Sequence, residues 1–443
     1  MEPEIEAHIT RFLAMLDTAF RRRGEDGLPE RLRGAVRDVP RHRFVHRFQA
    51  DRAGPVEDFA AERHLAAVYS DRVLAHFGPD DAALDSTNSQ PSYVLWLLHR
   101  LGLEPGHRAL EIGSGSGWLA AVIGRLVGDG SVVGVEILAD LARRSRGDLA
   151  ALGIANVAIV EGDGSAGHAA GAAYDRAVIT AAVWDPPAAL FEQVAEGGRL
   201  LLPIALAGGA GRDCHVAVLR RDGDRFRALE AVPGRFVRFT GPGQERGAER
   251  RRFDELPFWP GIGATPTSRR PLSLGARDPA RFAGAAYAFR LFLGQTEPGF
   301  TVFDDGAGDD LAASSFGLVD AAAGSVAVCR PGMLLGYGSP EAVRRLDAAY
   351  RRWTALGMPG PAAFELEVVR AGQAPKPGRG LWVETRGTSA LVWRLASDRL
   401  PGRNLRRSCP DDAFVVGSRY EPERRKRDPG TPAPHSGPGR LAS

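Results

Sequence analysis

Apolar positions recur at intervals of three and four from the N-terminus onward. Ile5, Ile9, Phe12, Leu13, Leu16 and Phe20 paint one face of a helix over residues 4–22. Residues 30–38 carry a second, shorter helical pattern that Pro40 stops. From residue 92 the pattern alternates: helix 92–101, strand 108–112, helix 117–127, strand 131–136, helix 138–152, strand 157–161, strand 175–181, helix 187–195 and strand 199–204. Such alternation predicts an α/β fold, a doubly wound and mostly parallel sheet with helices on both faces.

The regularity breaks near 241–252, where GPGQERGAERRR reads as a linker or exposed loop. Its arginines suit a solvated surface or a dock for an acidic peptide. The clearest element beyond it is a helix between Ser339 and Gly357. Ser339 and Pro340 suit the N-cap and first turn, Val343, Leu346, Tyr350 and Trp353 form the apolar stripe, and Gly357 suits the C-terminal cap. The strand patterns FELEVV, GLWVET and SALVWRL surround it, giving an α+β unit. From Glu421 onward large apolar residues almost vanish, which predicts disorder. The chain thus divides into an N-terminal helical segment (1–80), an α/β core (81–245), a smaller α+β domain (246–418) and a disordered tail (419–443).

Composition narrows the classes. With 443 residues, 44% hydrophobic and 25% charged, the chain can bury two or three cores, which excludes collagen, wholesale disorder and a disulfide mini-protein. The formal charge of +3 predicts neither a nucleic-acid nor a membrane partner by bulk electrostatics. Cys214, Cys329 and Cys409 stand far apart without metal-ligand spacing, so no metal is expected. The acidic start MEPEIEAHIT and the lack of a long apolar run predict a soluble cytoplasmic protein.

The stretch with chemical content is Ala109-Leu110-Glu111-Ile112-Gly113-Ser114-Gly115-Ser116-Gly117, a strand running into a glycine-rich turn that opens a helix. Its backbone N–H groups and the helix N-terminus suit a carboxylate or phosphate. A dinucleotide fingerprint would place its third glycine where Trp118 stands, so NAD and FAD are demoted. Glu136 ends the next strand, 23 positions beyond Gly113, where an acid takes both hydroxyls of a ribose. Glu161-Gly162-Asp163-Gly164 ends the strand after that, and Asp163 is placed to accept from the adenine amine. Each acid alone suits a loop cap or surface charge equally well. Three at successive strand ends describe a nucleoside pocket with an amino-acid end, and so S-adenosylmethionine, held by Glu111, Gly113, Ser114, Gly115, Gly117, Glu136, Asp163 and Gly164.

Over residues 30–240 the chain resembles the protein-L-isoaspartate O-methyltransferase family of class I methyltransferases, with their Rossmann-like fold. VPRHRFV (39–45), VYSDRVL (68–74), DSTNSQPSYV (85–94), YDRAVITAA (174–182) and EGGRLLLPI (196–204) are similar to family segments in order and spacing. The resemblance implies that Ser89 is the active-site serine, with Thr87 and Asn88 on the substrate side and the backbone of Leu202 and Pro203 along the peptide groove. The family commonly has an aliphatic residue at the position of Asn88. SQPS (89–92) and AAVWDPP (181–187) are closer to a subgroup associated with ribosomally made, modified peptides, whose C-terminal extension GLVDAAAGSVAV, AAYRRWTALG and FELEVV resemble. That likeness implies an alternative: a dedicated enzyme methylating an aspartate of one precursor peptide, the ester then cyclising to aspartimide.

The chemistry needs little machinery. A carboxylate with a pKa near ~4 is already ionised at neutral pH, so it attacks the sulfonium methyl without a general base. Ser89 then orients the acceptor; its plainer role is a helix N-cap before Pro91. His42, His64, His76 and His107 suit ordinary core or surface positions, and Trp118 and Trp184 suit core packing. The expected partner is a protein or peptide bearing an isoaspartyl or aspartyl carboxylate. The competing class, a binding protein on a decayed methyltransferase fold, conflicts with the intact glycines, acids and Ser89.

Overall fold

The computed structural model describes residues 2–49, 62–77, 83–206, 213–241, 252–263, 265–272, 274, 279–304, 315–378 and 380–395. The predicted tail, most of the arginine run and Cys409 lie outside the described residues.

Helices Glu2–Arg22 and Glu30–Asp38 form as their periodicity predicts and bury Phe12, Leu16, Phe20, Leu32 and Val36. They cover one face of a ten-stranded sheet together with helices Pro91–Leu101 and Trp118–Val127. From one edge the order is Leu381–Arg386, Ser389–Leu395, Phe364–Arg370, Arg225–Arg235, Asp213–Asp222, Val194–Ala205, Tyr174–Ile179, Arg108–Ile112, Ser131–Glu136 and Val157–Glu161. Only the last five of these strands are parallel to one another.

The sheet is therefore mixed rather than mostly parallel. Beyond Ala205 the chain turns back in antiparallel hairpins, and Arg225–Arg227 then pair with Glu367–Val369, so the sheet continues across the boundary expected at residue 245. The second face differs from expectation as well. Instead of a layer of crossover helices, a single apolar cluster joins Leu110, Ile179 and Leu200 to Phe289, Leu346, Trp353 and Trp393 of the C-terminal unit. That unit also holds a five-stranded antiparallel sheet, ordered Ser268–Pro271, Met333–Gly338, Ser325–Arg330, Phe316–Asp320 and Phe300–Val302. Trp353 stands on helix Glu341–Ala355, fully buried, and its indole N–H donates to Pro359 O at 3.0 Å. Truncating such a residue costs about 3–5 kcal/mol.

Local departures have local causes. The helix expected over 187–195 shrinks to Leu190–Gln193 because Val194 already pairs with Tyr174 in the sheet. Ser339 does not cap its helix. Ser325, on a neighbouring strand, accepts from Ala342 N at 3.0 Å and donates to the Ser339 carbonyl. Gly357 adopts the left-handed conformation expected of it, at φ 79°. A small antiparallel sheet of Phe48–Gln49, Leu74–Phe77 and Ala83–Asn88 carries no apolar signal in DSTN and has no counterpart in the predicted elements. Among the described residues no helix is long and apolar enough to cross a membrane.

Candidate active site

The parallel strands end together. Ile112 lies in register with Ile179 on one side and Val135 on the other, and Glu136 with Glu161. The turns that follow open on one edge of the sheet, where the strand order reverses about Arg108–Ile112, the usual place for a ligand in an open α/β sheet.

Gly113–Gly117 form the first of these turns. Gly113 and Gly117 hold φ values of 86° and 80°, which side chains resist, and a Cβ on them would meet Thr180 Oγ1 or Ser145 Cβ at 2.9 Å. The same neighbours fasten the turn: Thr180 Oγ1 donates to Gly113 O at 2.6 Å and Ser145 Oγ to Gly115 O at 3.0 Å. Ser114 is buried beside them.

The acids are not equivalent. Glu136 accepts from Gly115 N at 2.6 Å and Leu138 N at 2.9 Å, so its carboxylate is pinned to the glycine turn. Burial raises its pKa and the two backbone bonds oppose the rise. Asp163 is half-buried, and its Oδ1 accepts from Ser165 N at 2.8 Å, with the buried Gly164 next in the chain. Glu161 is exposed. Glu111 is completely buried, and neither of its oxygens has a hydrogen-bond partner among the described residues. Burial pushes it up to about 8, with the nearby Ser114 hydroxyl working against the rise and Glu136 adding to it.

The Thr87–Ser89 segment reaches this turn from the small sheet. Asn88 Oδ1 accepts from Ser116 Oγ at 2.8 Å, so Asn88, expected on the substrate side, turns toward the glycines instead. Thr87 and Ser89 are half-buried. Ser89 is not the helix N-cap: Gln90 holds that position with Pro91 following, and the cap interaction comes from Asp71. Asp71 accepts from Ser92 N at 2.8 Å, Ser92 Oγ at 2.7 Å and Gln90 Nε2 at 2.9 Å. Beneath lies Arg41, 1% exposed, whose Nη1 donates to Val68 O at 2.6 Å and whose Nη2 reaches Ser89 O at 3.4 Å. Burial lowers its pKa to about 10, opposed by Asp71, which leaves it cationic at neutral pH. In the sequence Arg41 and Asp71 stand out only as members of the VPRHRFV and VYSDRVL segments; their contacts to Ser89 and Ser92 are long-range facts.

Other expected residues lie apart. Leu202 and Pro203 are buried in the sheet opposite Ala217 and Val216, and Pro203 O accepts from Val183 N at 2.8 Å, so their backbone is used within the fold. Trp118 packs in the core, donating to Val39 O at 3.1 Å under the Arg41 guanidinium. Trp184 stacks on Arg386, whose Nη1 donates to Trp184 O at 3.1 Å and Ala205 O at 2.8 Å. Next to it, Asp185 accepts from both the backbone and the hydroxyls of Thr388 and Ser389. The C-terminal hairpin thus clamps the 181–187 segment. Among the described residues no cluster of His, Cys, Asp and Glu could hold a metal ion.

The chain is similar to several known proteins. A profile of the Protein-L-isoaspartate(D-aspartate) O-methyltransferase family matches residues 28–242. A protein-L-isoaspartate O-methyltransferase of Methanoregula boonei is 37% identical over 211 residues, 48% of this chain and 85% of that one. Protein-L-isoaspartate O-methyltransferase 1 of Archaeoglobus fulgidus is 37% identical over 187 residues, 42% of this chain and 77% of that one. Among solved structures, a protein-L-isoaspartate O-methyltransferase aligns over 81% of this chain and 96% of its own at 23% identity, with a TM-score of 0.48. With its glycine turn, strand-end acids and Thr87–Ser89 segment in place, the chain belongs to the protein-L-isoaspartate O-methyltransferase family of S-adenosylmethionine-dependent enzymes.

Proposed function

We propose that this chain transfers a methyl group from S-adenosylmethionine to the carboxylate of an isoaspartyl residue in a protein or peptide, leaving a methyl ester. The Asn88–Ser116 hydrogen bond carries the reading, because it ties the segment bearing Ser89 to the glycine turn that suits the cofactor. The residues fit that cofactor. Glu136 keeps lone pairs for ribose hydroxyls after its two backbone bonds. Asp163 and the adjoining Gly164 suit the adenine edge, and Gly113, Ser114, Gly115 and Gly117 suit the amino-acid end. When bound, S-adenosylmethionine would supply a methyl on a cationic sulfur: an ionised carboxylate oxygen would bond to the methyl carbon in line as the C–S bond breaks, with S-adenosylhomocysteine as the leaving group.

The chain's own work is positional. Ser89 donates a hydrogen bond that orients the acceptor carboxylate, with Thr87 beside it. Arg41 holds the Ser89 carbonyl, and Asp71 holds the first turn of the helix that follows. Glu111, protonated at neutral pH, adds no second negative charge beside Glu136. The C-terminal hairpin steadies the 181–187 segment, and we assign the C-terminal unit a part in gripping the peptide. No observation favours a single modified-peptide substrate over an isoaspartyl one, and Leu202 and Pro203 have no role in this reading.

With methyl-labelled cofactor, the full chain should label an isoaspartyl peptide, and mild base should release the label as methanol. A base-stable product would contradict carboxyl methylation. Ser89→Ala should keep S-adenosylhomocysteine affinity and lower kcat about 10- to 100-fold, the worth of one charge-assisted hydrogen bond.

A further inference from the structure

Helix Pro279–Thr296 packs over the C-terminal hairpin of strands Leu381–Arg386 and Ser389–Leu395, with Phe292 meeting Trp382 edge-on at 6.0 Å. In that hairpin Trp382 is in register with Trp393 and Glu384 with Leu391, so Trp382, Glu384, Arg386 and Trp393 share one face. A cavity of about 10 Å³ lies between this face and the helix, bordered by Arg290, Gln295, Glu384, Arg386 and Trp393. It has room for one particle of about water's size.

The cavity wall is polar at depth. Arg386 is 3% exposed and Trp393 1%. The Arg386 guanidinium spends Nη1 on Trp184 O and Ala205 O and Nη2 on Glu384 at 2.8 Å, while its Nε has no hydrogen-bond partner among the described residues. The same holds for the indole Nε1 of Trp393 and for both amide atoms of Gln295. Donors are thus in surplus: Arg386 Nε, Trp393 Nε1 and Gln295 Nε2 stand against Gln295 Oε1 alone, and a buried donor left unmet is costly. Arg290, also 3% exposed, brings a second guanidinium to the same wall, which disfavours a cation. A water accepts two hydrogen bonds, whereas a monatomic anion accepts from every side and gains from the charge on Arg386. Phosphate, sulfate and carboxylate groups exceed the space.

We propose that this cavity is a binding site for a halide ion, chloride in practice, held by Arg386 Nε, Trp393 Nε1 and Gln295 Nε2. The ion ties the helix to the hairpin and meets the N–H that Arg386 has left over. Because the same guanidinium holds Trp184 O and stacks on the Trp184 ring at 3.9 Å, the site lies one side chain behind the 181–187 segment. None of its three donors belongs to the glycine turn or to the Thr87–Ser89 segment.

The test is a chloride titration of the full chain, with sodium gluconate, whose anion is far too large for the cavity, holding the ionic strength constant. Chloride should raise the thermal unfolding midpoint along a curve that saturates as binding to a single site does, and bromide should act in the same way. Trp393→Phe, which keeps a ring against His215 but loses the N–H, and Gln295→Met should each weaken chloride about tenfold. No response to chloride overturns the site. So does a midpoint that climbs without saturating, or one that responds equally in the wild type and Trp393→Phe, since either is a general salt effect. Should both variants fail to fold, anomalous scattering from wild-type crystals grown in bromide decides: a peak between Trp393 Nε1 and Arg386 Nε supports the site, and an empty cavity there overturns it.

Discussion

Two buried acids one strand apart meet opposite environments. Asp185, after strand Tyr174–Ile179, accepts four hydrogen bonds of 2.6–3.0 Å from Thr388 and Ser389. Glu111, within strand Arg108–Ile112, has no such partner among the described residues, and burial drives it toward its neutral form. The first is a staple: its donors come from the C-terminal hairpin, 203 and 204 residues away, and it holds two parts of the fold together. The second belongs to a region where polar groups are left over, with His76 Nε2 and Asn88 Nδ2 in the same state on the other side of the glycine turn. Burial alone therefore does not fix a carboxylate's part: Asp185 is met by four donors that join two parts of the fold, whereas Glu111 is met by none among the described residues.

Removing the staple should have the largest effect. Asp185→Ala strands four donors, and we expect a loss of about 4 kcal/mol in stability, read as a lower denaturant midpoint at unchanged m-value. Asp185→Asn should recover part of it. On the other side of the comparison, Glu136→Ala should weaken S-adenosylhomocysteine about 30-fold, roughly 2 kcal/mol, with little change in that midpoint. Comparable stability losses in Asp185→Ala and Glu136→Ala would erase the distinction between the two regions.

Glu111 sharpens the contrast through pH. Its folded pKa of about 8 lies above the ordinary 4.5, so the folded state holds a proton that the unfolded state has released between those values. The resulting stability is complete below about pH 4.5 and is lost as pH rises through about 8. Glu111→Gln should flatten that decline and make the variant more stable than the wild type at pH 9, while at pH 7 it should change methyl transfer less than any other substitution named here. A wild-type stability that rises over this range would contradict a raised Glu111.

Much of the cofactor side was legible because its signals are local. An apolar strand, a glycine turn and an acid at each following strand end lie within Ala109–Gly164, and the parallel strands formed where their apolar runs placed them. What escaped is long-range. Nothing in FELEVV announces that Phe364–Arg370 will pair with Arg225–Arg227, and nothing in DSTN announces a strand. Asp71 reads as a charge in a loop until the fold sets it over the start of helix Pro91–Leu101, and the Ser339 cap fails because Ser325 reaches the same backbone first. The Asn88–Ser116 hydrogen bond is likewise not legible in DSTN, since side-chain direction depends on which turn packs against the strand.

The most direct test of the account is kcat/KM of the full chain for an isoaspartyl peptide against its normal-aspartyl twin, measured with S-adenosylmethionine at saturation. The account predicts methylation of the isoaspartyl form with little or none of the twin. Equal rates on the two, or none on either while S-adenosylmethionine binds, would contradict it.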